Sequence, residues 1–121
     1  MTKKDHTSTA TSAAPVVPLA STALRPLGIE QVRLAEGFWG SRQTLNAETI
    51  IPHCQHWETE VGWIANFDSV VDGTIAETRT GRQFSDSDVY KLLEAMAWEI
   101  GRSGDPGLQR RFDGIVAKIP G

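Results

Sequence analysis

The most regular alternation of apolar and polar positions lies between residues 85 and 119. Val89, Leu92, Leu93, Met96 and Ile100 recur at three- and four-residue steps, a single stripe that predicts an amphipathic helix. Ser85 and Asp88 stand ahead of it in an S-x-x-D capping pattern, and Asp86 puts negative charge at the positive helix end. Gly101 and Gly104 offer stops. Asp105 followed by Pro106 is an N-cap and first-position pair for a second helix, whose buried face reads Leu108, Phe112, Ile115, Val116 and Ile119. So short a link predicts an antiparallel hairpin, the unit from which bundles and helical barrels are built.

Upstream the pattern is less even. Val32 and Leu34 alternate with Arg33 and Ala35 before Glu36-Gly37-Phe38-Trp39-Gly40, which predicts one short strand ending in an aromatic turn. A lone strand leaves its donors and acceptors unpaired, so its partners are expected on another chain or on sequence not carried here. Ser41 is placed to cap a helix on which Ile50, Cys54, Trp57 and Val61 share a face. Pro52 takes one donor from that helix, predicting either a kink or a new helix with Pro52 in its first turn. Phe67 to Gly81 has no period and reads as a loop. Residues 1–27 carry eight Ser/Thr, five Ala and three prolines and read as a disordered tail, leaving residues 28–121 to fold. A unit of that size buries only about 60–65% of its unfolded surface, so its independent stability is marginal. Internal repeats are not visible, which argues against a complete solenoid.

Composition narrows the classes. With 40% hydrophobic and 22% charged residues the chain suits one globular domain, neither membrane-embedded nor wholly disordered. A net charge of −3 cannot supply the basic field that phosphate backbones demand, so nucleic acid is not an expected partner. Lys3 and Lys4 precede an apolar stretch, Ala13 to Ala20, that Pro15 and Pro18 interrupt. A secretory signal needs roughly 7–15 unbroken apolar residues and a membrane span about 18, so the expected location is cytoplasmic, with no membrane partner. Cys54 is the sole cysteine, which excludes an internal disulfide framework and a cysteine-only zinc site and suits a reducing compartment.

The string Phe84-Ser85-Asp86-Ser87-Asp88-Val89-Tyr90-Lys91-Leu92-Leu93-Glu94-Ala95 resembles the N-terminal part of the glycoside hydrolase family 127 catalytic domain, a family that includes β-L-arabinofuranosidases. Val32-Arg33-Leu34, Gly37-Phe38-Trp39, Ile51-Pro52, Ile64-Ala65-Asn66-Phe67 and Asp105-Pro106 extend the resemblance in collinear order over residues 26 to 118. It implies a mainly α fold: a partial (α/α)6-barrel made of the barrel's first helices, with the strand near or within an attached β-sandwich. It also implies a cysteine nucleophile in a zinc-bound cluster of three cysteines and a glutamate, with a further glutamate as acid/base. All of these lie downstream of the matching region, and the family sequence continues past Lys118. A frameshift, early stop or gene fragment would produce the end at Ile119-Pro120-Gly121, so the expectation is an N-terminal fragment with no cofactor of its own.

The candidate residues have ordinary readings beside the chemical ones. Asp86, Asp88 and Glu94 could supply the facing carboxylates of glycoside hydrolysis. Helix-end charge, capping and pairing with Lys91 account for all three, and no catalytic residue is assigned. His53, Cys54 and His56 form an H-C-x-H cluster, but a helix turns consecutive side chains about 100° apart, so at most two ligands converge and no metal is assigned. Cys54 as nucleophile needs a partner base and an electropositive setting, and an apolar helix face offers neither. Of the four tryptophans, Trp57 falls on the apolar stripe and reads as core, Trp98 falls off it, and Trp39 and Trp63 remain open between core packing and sugar stacking. Neither Gly37–Gly40 nor Gly101–Gly104 matches a phosphate-cradling loop. Two expectations follow. The chain is a glycosidase by descent that needs completion before it takes an arabinofuranoside substrate, or it is a non-enzymatic helical module that self-associates or binds a partner through exposed apolar faces.

Overall fold

A computed structural model describes residues 27–119. The protein is mainly helical, as its pattern predicts: α1 Phe38–Leu45, α2 Ile51–Glu60, α3 Ala65–Val71, α4 Ile75–Thr78, α5 Ser85–Ser103 and α6 Pro106–Val116, with a 3-10 turn at Ile29–Gln31. The disordered tail expected over residues 1–27 lies outside the described residues, Leu27 excepted.

The first helix starts at Phe38, with Gly37 (φ 127°) before it, and not after Ser41. The Ser41 N–H is already in the first turn, donating to the Gly37 carbonyl at 2.9 Å. From α1 the chain runs through a π-helical turn, Asn46–Ile50, into α2 without leaving helical backbone angles. Pro52 gives the reason. It has no N–H to offer the carbonyl four residues back, and its ring crowds that oxygen, so a wider turn ahead of it relieves the clash. Pro52 then sits in the first turn of α2, where no donor is needed.

The strand predicted at Val32–Leu34 is not formed. Val32 has extended backbone angles (φ −113°, ψ 123°), but the described residues contain no strand to pair with it, and Val32 and Leu34 remain half-exposed. The predicted loop from Phe67 to Gly81 instead carries α3 and α4. These helices are too short to show a period, and their hydroxyls bond backward within them: the Thr78 hydroxyl donates to the Thr74 carbonyl at 2.9 Å, and Ser69 to Ala65 at 3.4 Å.

The hairpin is as predicted. α5 continues through Gly101, against which Ile29 of the 3-10 turn packs, and stops at Gly104, whose left-handed angle (φ 68°) lets its N–H reach the Ile100 carbonyl at 2.8 Å. Two details differ from expectation. Phe84 rather than Ser85 precedes the first turn of α5, so the S-x-x-D box does not close; Ser85 is buried and the Ser87 hydroxyl donates to the Phe84 carbonyl. Val116, expected in the core, is 41% exposed. Asp105 does cap α6, accepting from the Gly107 N–H at 2.7 Å. Asp105→Ala is therefore expected to cost about 1 kcal/mol in a urea melt followed by helical circular dichroism, and Asp105→Asn much less.

α5 is the central element, covered by α2, α6 and the 3-10 turn. Val89 and Met96 on it are fully buried, and Ile51 from α2, Phe67 from α3, and Leu108 and Ile115 from α6 close around them. α3 is tied to both ends of the chain segment that follows. Asn66 exchanges two 2.9 Å hydrogen bonds with the backbone of Thr80, and Lys118 bonds both carboxylate oxygens of Asp68.

Candidate functional site

The buried face of α2 is not the apolar stripe Ile50-Cys54-Trp57-Val61. Ile50, Trp57 and Val61 are 45%, 52% and 43% exposed, and the inward line is Ile51, Cys54 and Glu58. A carboxylate thus occupies the position, seven residues on from Ile51, where periodicity expects an apolar group. The reading of Trp57 as core is overturned with it; its ring stands at the surface between His53 and His56.

Glu58 opens onto a cavity of about 300 Å³ between the helical rod and α5. Asn46 and Ile50 come from the π turn, Ile51 and Cys54 from α2, Trp63 from the turn after it, and Asp88, Lys91, Leu92 and Ala95 from α5. Gly81 helps to place the indole: its φ of +85° suits glycine, and any Cβ there would collide with the Trp63 ring.

The two buried glutamates of this protein make an instructive pair. Glu99, 8% exposed, is gripped by the Arg102 guanidinium, with Nε at 2.8 Å from its carboxylate. Glu58, 9% exposed, has an oxygen, Oε2, that is fully buried and without a hydrogen-bond partner. Desolvation of its charge, followed by repulsion from Asp88, pushes the Glu58 carboxyl up to about 7 from 4.5. Asp88 has its own partner, Lys91 Nζ at 2.8 Å, which lies largely in solvent. Of the two, Glu58 is the carboxyl that gains and loses its proton near neutrality, and Asp88 is the one bonded to a lysine.

Among Asp86, Asp88 and Glu94, only Asp88 reaches this cavity. Asp86 lines a second one of about 230 Å³, also bordered by Trp63, with Asn66, Arg79 and Gln83, while Glu94 is exposed. Lys91 pairs with Asp88 alone among the described residues, not also with Glu94. His53 and His56 are exposed and Cys54 turns inward, so the H-C-x-H cluster does not converge. No three His, Cys, Asp or Glu side chains gather to hold a metal ion among the described residues. Trp98 and Trp39 are exposed, at 57% and 69%, while Trp63 packs against the core. Glu58 was missed because a charged residue is read as outward-facing; its spacing from Ile51 and Cys54 was the available signal.

Among the described residues the continuous helical run of α1, the π turn and α2 lies against the α5–α6 hairpin, a mainly helical scaffold with a carboxylate-lined cavity where α2 meets α5. Residues 31–120 match the family model for the β-L-arabinofuranosidase GH127 catalytic domain, and the chain belongs to that family. No curated protein matches it, and no solved structure does. No helix among the described residues is long and apolar enough to cross a membrane.

Proposed function

We propose that this chain supplies the opening helices of a GH127-type (α/α)6-barrel glycosidase and does not by itself hydrolyse an arabinofuranoside. The observation that carries this is the family match over residues 31–120 on a chain whose only cysteine is Cys54. The family's resemblance implies a zinc held by three cysteines and a glutamate. The residues present do not fit that group: a single thiol facing the hydrophobic core, beside two histidines that point to solvent, cannot compose it. Without nucleophile and Lewis acid, the described residues offer no such group to lower the barrier to glycosidic cleavage. Incubated with p-nitrophenyl β-L-arabinofuranoside and zinc, the purified 121-residue chain is expected to release nitrophenol no faster than buffer. Turnover that survives Cys54→Ser would show a catalytic centre of another kind and end this reading.

The outer face of the rod supports a second reading, a helical interaction module. Trp57 and Val61 leave about half of their apolar surface uncovered by any of the described residues. On the first reading this face meets further helices of a barrel; on the second it meets a partner chain or another copy of itself. Size-exclusion chromatography with light scattering separates them. A defined oligomer that Trp57→Glu dissolves favours the module, and a partly unfolded or aggregating monomer favours the fragment.

A further inference from the structure

Between Ile51 and Ile64, both in the core, only one side chain is buried, and it is Glu58. Trp57 and Val61 stand at the surface, while Cys54 and Trp63 are partly buried against the core. The C-terminal half of α2 is thus seated with a carboxyl as its one buried side chain. The seat offers that carboxyl little, since Oε2 is shut off from solvent and has no hydrogen-bond partner. A charge there lacks both water and a donor, whereas the protonated acid avoids most of that cost. The Glu58 backbone also ties down the turn that follows, its carbonyl accepting from the Trp63 N–H at 3.0 Å and the Ile64 N–H at 3.3 Å. Gly62, with φ at 78°, stands between the helix and those two donors.

We infer that the C-terminal half of α2 is a flap, seated against α5 while Glu58 is protonated and lifted from it when Glu58 ionises. Ile51 holds one end in the core, and Ile64 and Phe67 hold the chain beyond the other. Gly62 is the hinge, because a glycine at positive φ changes its backbone angles at little steric cost. Lifting carries the Glu58 charge into water and away from Asp88, and breaks the two bonds that its carbonyl accepts from Trp63 and Ile64. Little apolar surface is uncovered, since no apolar side chain of the flap is buried, so lifting costs less than unfolding the whole chain.

The groups around Glu58 set the pH at which this happens. From α5 these are Asp88 and Lys91, bonded to each other at 2.8 Å, and from α2 itself Cys54; the π turn and the turn after α2 bring only uncharged Asn46, Ile50 and Trp63. Arg111 of α6 meets α2 at Gln55, 3.2 Å away. No cation among the described residues pairs with Glu58. The lifted carboxyl releases its proton near 4.5 and the seated one near 7. Between those values lifting is favoured by about tenfold for each pH unit gained, and above the second it levels off.

Amide hydrogen exchange of the full chain, resolved by NMR at a series of pH values and corrected for intrinsic exchange, tests the flap. The Trp63 and Ile64 amides are expected to lose protection by about tenfold per pH unit from about pH 5 to 7, and to hold level above that. Adding about 1 M urea should leave those two amides unchanged, because lifting exposes little surface, while it speeds exchange at buried α5 positions such as Met96. Glu58→Gln should remove the pH dependence, and Glu58→Met, which keeps the length without a titrating group, should do the same if the amide disturbs folding. Asp88→Asn leaves Glu58 in place and should lower the pH at which protection levels off. Trp63 and Ile64 exchanging at the rate of the α5 core with the same urea response would mean that Glu58 acts on global unfolding alone, and overturns the flap. Protection that does not change with pH in the parent chain, or a pH dependence that persists in E58Q or E58M, overturns it equally.

Discussion

Raising the pH from about 4.5 to above 7 should lower the folding stability of this protein, and Glu58→Gln should abolish most of that slope. The sign follows from the direction of the shift. Folded Glu58 holds its proton up to about 7, whereas the unfolded chain releases it near 4.5. Between those values the folded state binds the extra proton, so stability is fully present below the unfolded value and is lost as pH rises through the folded one. Desolvation is the larger cause and the Asp88 charge the smaller, so Asp88→Asn should flatten the profile only in part. Most proteins of this size lose stability on acidification because paired carboxylates are protonated. The expected profile here runs the other way over this range, which makes it easy to recognise in urea melts at a series of pH values. A profile that rises or stays level between pH 5 and pH 8 in the parent chain, or an equal slope in E58Q, would mean that Glu58 finds a donor or reaches solvent.

The parts of the fold that the sequence disclosed are those in which local chemistry and global burial agree. The α5–α6 hairpin is marked by a stripe, a glycine in the left-handed region at Gly104 and a working cap at Asp105, three independent signals that coincide. α3 and α4 were hidden because they are too short to show a period, and only the neighbours of Ser69, Thr74 and Thr78 decide whether a hydroxyl bonds within a helix or breaks it. Val32–Leu34 shows the converse: an alternating pattern states a preference for extended backbone, which Val32 adopts, but a strand also requires a partner. The site was least legible. Asp88 could be named from sequence, yet its significance comes from Glu58, thirty positions earlier, and Glu58 lies on α2's buried face in defiance of polarity. With Glu58 turned inward, Trp57 and Val61 are left at the surface, so a single misassigned face produced both the missed site and the false core.

Met96→Ala is expected to lower stability by about 2–5 kcal/mol, enough to consume a large share of the roughly 5–15 kcal/mol that holds an ordinary domain folded. Met96 is fully buried in the core cluster on α5, the helix on which α2 and α6 pack, so truncation leaves a cavity in that core. Trp98 lies two residues further along the same helix, is much larger and is 57% exposed. If this chain is a monomer, Trp98→Ala should change stability by less than about 1 kcal/mol despite the greater volume removed, because little of that surface leaves water on folding. The comparison therefore tests burial rather than size, with propensity nearly matched by the shared product, alanine, on one helix. Should Trp98→Ala prove as damaging as Met96→Ala, and the difference grow with protein concentration, the indole must be covered by another chain, and the interaction-module reading would gain the support that exposure alone does not give it. Equal and small effects at both positions would instead mean that α5 is not the centre of a packed core, and the arrangement of helices around it would have to be redrawn.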